Sequence, residues 1–194
     1  MSALNVVKPE PGSRILSGPS GEPLELLWAA QDVLVQGLEL LFDLGDQTFS
    51  RVVASPYPAS IGQHYAYSLD HFHCLLRGQR AGEVSYENHE RNPRLEREVS
   101  YASIAICDIL RAIKNYNEDT LARECKVVRM VENGRPPLSP INSSIGDELA
   151  HCTSHAIHHY AIIRLICGEL GVRVPAQFGS APPALKRSLT QVTY

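Results

Sequence analysis

Four of the chain's eight histidines fall within one stretch, SIGDELAHCTSHAIHHYAIIRLI, residues 144–166: His151, His155, His158 and His159. Imidazole exchanges protons near neutral pH and ligates divalent metals, so the spacing of these rings decides what they can do together. On a helix turning about 100° per residue, His155 and His159 stand only about 40° apart, and His151 and His158 lie within about 60° of His155. An i, i+4 pair is the usual helical way to offer two imidazoles to one ion. The plainer alternative is a half-buried cluster satisfied by ordinary hydrogen bonds. Ile162 and Ile166 continue the same stripe, which places the histidines on the core-facing side of their helix.

A second stripe lies in SIGQHYAYSLDHFHCLL, residues 60–76. With His64 as reference, Tyr67 is about 60° away and His71 about 20° away, while His73 points to the opposite face. Two facing histidine stripes would supply each other with the partners that buried imidazoles need. Other candidates carry weaker signals. Glu148, about two turns before His155, could orient an imidazole or act as a base, or simply favour the helix dipole. Cys152 is either a ligand or nucleophile near the stripe or a packed small hydrophobe. Asp70 lies about 120° from His64, which suits a surface or supporting acid. The segment VSYENHERN brings Tyr86, His89, Glu90 and Arg91 into a connection that either contacts substrate, with Arg91 on a carboxylate, or is a solvated charged loop.

The elements that must position these residues are helices. Glu22 to Leu44 opens with Pro23 and ends before Gly45, with apolar positions Leu26, Ala29, Ala30, Val33, Gly37, Leu40 and Leu41 at helical spacing. Residues 45–59 read as a loop that includes Pro56 and Pro58. A second helix runs from about Ser60 to Arg77, a polar connection covers 78–93, and a third helix runs from about Arg94 to Tyr116. Val127, Val128, Met130 and Val131 lead into Asn133-Gly134, a hairpin signal that marks a short excursion before the last helix. For that helix Ser144 reads as N-cap, with Asp147 and Glu148 in the first turn. The expected architecture is all-α: a loose segment over 1–21, a four-helix bundle over 22–170 and an irregular tail over 171–194.

Composition narrows the function. The chain has 194 residues, 44% hydrophobic and 20% charged, as in a water-soluble domain with a real core. No apolar run approaches the roughly 18–20 residues of a membrane span, and MSALNVVKPEPGSR lacks the order of a signal peptide. A net charge of −3 argues against a dedicated binder of nucleic acid or anionic membrane. Five widely spaced cysteines without a CxxC fit a reduced, cytoplasmic protein.

The pairing of SIGQHYAYSLDH with HCTSHAIHHYAII resembles the DinB/YfiT-like superfamily of metal-dependent four-helix-bundle enzymes, over roughly residues 22–170. The tail VPAQFGSAPPAL resembles a subgroup of it. The resemblance implies a homodimer and a divalent ion held by three histidines, one from helix two and two from the last helix. His155 and His159 match the last-helix pair, with His151 one turn earlier. Tyr67 stands where the helix-two ligand would fall, with His64 one turn before and His71 one turn after. The expected set is therefore His64, His155 and His159, with His71 as the other candidate for the third place. Zinc or nickel would suit three imidazoles. The implied activity is a transferase or hydrolase on a small molecule, using a thiol in the family's better-understood members. The alternative is a metal-free bundle with a binding or structural role.

Overall fold

The computed structural model describes residues 22–54, 58–87, 92–128 and 139–182. Its long helices are α1 (Glu22–Phe42), α3 (Ile61–Ala81), α5 (Val99–Ile113) and α7 (Ile145–Glu169). Three short ones, α2 (Asp46–Phe49), α4 (Pro93–Arg97) and α6 (Glu118–Ala122), lie between them. Strands β1 (Glu83–Ser85), β2 (Glu124–Val128) and β3 (Ile141–Ser144) form a small sheet with β2 in the middle. The fold is thus mainly helical, but the sheet corrects the all-helical expectation. No helix among the described residues is long and apolar enough to cross a membrane.

Local chemistry fixes the ends of the two histidine-bearing helices. Ser60 and Gln63 cap α3 reciprocally, each side chain bonding the other's backbone. The helix stops at Gly82, whose φ of 73° is the left-handed turn that glycine allows without a Cβ penalty. β1 follows at once and pairs in parallel with β2, Val84 opposite Val127. Parallel pairing needs a long crossover, here supplied by α4, α5 and α6. β3 runs antiparallel to β2, Lys126 opposite Asn142, and its last residue, Ser144, is also the N-cap of α7. The sheet therefore sets where α7 begins.

α3 packs against α7 and α5, and α1 packs against the same two helices. Between them lies a dry layer in which Tyr65, Tyr160, Phe49, Phe72 and Phe178 are fully buried. Phe178 stacks on Tyr160 at 4.6 Å, and the Arg164 side chain donates to the carbonyls of Pro175, Ala176 and Phe178, fastening this part of the tail.

Several expectations need correction. The loop assigned to 45–59 contains α2. The helix expected over 94–116 breaks at Glu98, whose extended backbone (φ −116°, ψ 110°) ends α4 and starts α5. The polar connection hides β1, which pairs with the distant β2 and packs on α3. The excursion before α7 does pair, β2 with β3, although Asn133-Gly134, like 1–21 and 183–194, lies outside the described residues.

Candidate functional site: a layer of imidazoles between two helices

One residue step along each helix from the Tyr65–Tyr160 contact of the dry layer, α3 and α7 meet through histidines. His64 Nδ1 on α3 lies 2.9 Å from His159 Nδ1 on α7. The other nitrogen of His159, Nε2, lies 3.0 Å from His155 Nε2. His155 in turn stacks on His71 with ring centres 3.5 Å apart, and Tyr86 covers the far face of His71 at 4.9 Å. Tyr67 stacks beside His159 at 5.7 Å, so the position expected to carry a ligand instead walls the site. His159 is buried, His64 and His155 are half-buried, and His151 and His158 are exposed.

The surroundings keep these rings neutral. Burial, reinforced by neighbouring His71, His151 and His158, lowers His155 to about 4. Burial and the rings of His155 and His64, with His158 and His71, lower His159 to about 3. His64 is also lowered, by burial and then by His158. A neutral imidazole has one N–H and one lone pair. Two hydrogen assignments satisfy the row. In one, His155 Nε2 donates to His159 Nε2 and His159 Nδ1 donates to His64 Nδ1. In the other, both donations reverse.

A second polar group adjoins the row. Glu148, in the first turn of α7, is only 8% exposed, and its two oxygens accept from the hydroxyls of Tyr86 and Ser143, each at 2.6 Å. Burial and the nearby Cys152 and Glu148 hold the Tyr86 phenol well above its ordinary range, so it stays a donor. Cys152 is fully buried 3.7 Å from the Tyr86 hydroxyl, and burial pushes its thiol up, which suits packing rather than nucleophilic attack. Asp70 and His73 lie away from this layer, lining a separate cavity of about 520 Å³ with Arg77, Tyr101 and Asp108. His89, Glu90 and Arg91 fall outside the described residues.

The metal-binding reading of the three-histidine set is corrected by this geometry. One ion would need a nitrogen from each ring at a common point. His159 instead turns Nδ1 to His64 and Nε2 to His155, and among the described residues no group of three or more His, Cys, Asp or Glu could hold an ion. The arrangement does not fit a metal centre.

No family model and no solved structure matches the chain. Among curated proteins, one named FK506-binding protein 5, from Rhizopus delemar, is 34% identical over 103 residues, which are 53% of this chain and 27% of that relative. The match therefore spans about a quarter of the relative's length. It overturns the expected membership in the DinB/YfiT-like superfamily, since the relative carries the name of a different family. The thiol-dependent chemistry that rested on that resemblance loses its support.

Proposed function

We propose that this chain is an enzyme acting on a small molecule, with His155, His159 and His64 as a row that passes protons to and from the substrate. We read α1, α3, α5 and α7 as a four-helix bundle that holds the row in its interior. The observation that carries the proposal is the continuous chain of nitrogens, 2.9 Å and then 3.0 Å, through rings that stay neutral at physiological pH. A proton taken up at His155 Nδ1 moves the His155 Nε2 hydrogen to His159 Nε2. The His159 Nδ1 hydrogen then passes to His64 Nδ1, and His64 releases its own from Nε2. No charge remains on the row, and all three tautomers have exchanged. Such a base could activate a water or another nucleophile, as a hydrolase or transferase requires.

Hydrolysis of p-nitrophenyl acetate tests this. The rate above background should stay level from pH 8 to pH 5, because the row loses its basic form only near pH 4 and 3. His159→Gln should lower it by about 100-fold, within the usual range for removing a general base. An inflection near the ordinary histidine value of about 6.5 contradicts the proposal. So does one zinc or nickel per chain in untagged protein, with hydrolysis abolished by a chelator.

A binding role without catalysis is the second reading, favoured by the partial match to a protein named for binding FK506. Calorimetry with FK506 decides it: saturable binding without ester hydrolysis supports this reading, and no binding removes it.

A further inference from the structure

Beside the histidine row, between the sheet and the first turns of α7, lies a cavity of about 360 Å³. That is the size of a small-molecule site. Its lining includes the apolar residues Val127, Val128 and Ile141. The same lining carries the Glu148 carboxylate together with Glu87, Asn142 and His151. Glu148 is 8% exposed, yet among the described residues no lysine or arginine pairs with it or lines the cavity. Its partners are two neutral hydroxyls, Tyr86 and Ser143. A carboxylate removed from water loses several kcal/mol of hydration, which an opposite charge offsets best. Two hydroxyl donors also leave it with lone pairs to spare.

We infer that this cavity takes a small organic ammonium, its charge on Glu148 and its hydrocarbon against Val127, Val128 and Ile141. The size of the space and the apolar residues in its lining favour an organic cation over a bare inorganic one. Bound there, the amine sits next to His151, whose ring centre is 6.3 Å from that of His155. The inference rests on the proposed proton-transfer role in treating the amine as a substrate, and it names the substrate class.

Calorimetry with two probes of one shape tests it: 3-methylbutan-1-amine, cationic at pH 7, and neutral 3-methylbutan-1-ol. The amine should bind at least about tenfold more tightly to the wild-type chain, shifting the methyl resonances of Val127, Val128 and Ile141. Glu148→Gln should erase the preference, and Ser143→Ala, which keeps the charge, should retain it. Equal affinity of amine and alcohol overturns the inference, as does binding of neither, or a preference that survives Glu148→Gln. Should Glu148→Gln fail to fold, the wild-type ratio and the methyl shifts still decide. His155→Ala separates this claim from the proton-transfer reading, since it should keep amine binding while losing ester hydrolysis.

Discussion

Two neighbouring contacts between α3 and α7 differ by a single residue step on each helix. Tyr65 meets Tyr160 with ring centres 5.7 Å apart, and His64 meets His159 at 5.1 Å. A step of one residue turns a side chain by about 100°, enough to carry it from the sealed core to a polar seam. The tyrosine contact is dry. Tyr65 donates its hydroxyl to the Gly37 carbonyl at 2.8 Å, whereas the buried Tyr160 hydroxyl has no hydrogen-bond partner among the described residues. The histidine contact keeps exposed neighbours, His151 and His158, and consists of groups that can exchange protons. Fold stability should therefore reside in the first contact and reactivity in the second.

The strongest way to break this comparison is to truncate one ring in each layer. Tyr65→Ala should cost about 3–5 kcal/mol in urea unfolding, as for other buried aromatic truncations, and His64→Ala about 1 kcal/mol or less. Comparable losses from the two would mean that the histidine layer also holds the fold. Next in size is Gly37→Ala. A Cβ at Gly37 would press on the Tyr160 hydroxyl and its ring carbon, an overpacking expected to cost about 1–3 kcal/mol. Adding Tyr160→Phe should recover part of that loss; no recovery would mean that the clash lies elsewhere.

A pH titration of thermal stability sharpens the other side. The folded chain holds His155 at about 4 and His159 at about 3, while unfolded histidines take up protons near 6.5. The stability from keeping these rings neutral is complete above pH 6.5. It declines as pH falls through 6.5 toward 4 and 3, because the unfolded state then binds more protons, and it levels off below. The His155→Gln, His159→Gln double variant should lose less stability than the wild type over this window, and parallel curves would contradict the assigned burial. The smallest effect is Tyr160→Phe alone, which should raise stability by up to about 1 kcal/mol by removing the unpartnered hydroxyl.

Much of the helical layout was legible in the sequence because its signals are local. Ser144 caps α7, and the 3.6-residue stripe put His155 and His159 toward α3, where His64 and His71 meet them. What was hidden depends on distant partners. Glu83-Val84-Ser85 has no strand signature of its own and is a strand only beside β2. Glu98 breaks the expected third helix without a glycine or proline to announce it. Glu148 read as a dipole-favouring acid because its hydroxyl partners, Tyr86 and Ser143, come from 62 and 5 residues away. A metal tripod and a hydrogen-bonded row demand the same histidines at the same spacing. Only the orientation of the His159 ring tells them apart, and ring orientation leaves no trace in sequence.

The most direct test of the proton-passing row is nitrogen-15 NMR of the histidine side chains in untagged protein between pH 7.5 and 4. The shifts of His64, His155 and His159 report the tautomer and charge of each ring. The account predicts that His155 and His159 remain neutral at pH 5.5 and that His159→Gln alters the tautomers of both its neighbours. Titration of His155 and His159 near pH 6.5, with the rings indifferent to one another, would contradict it.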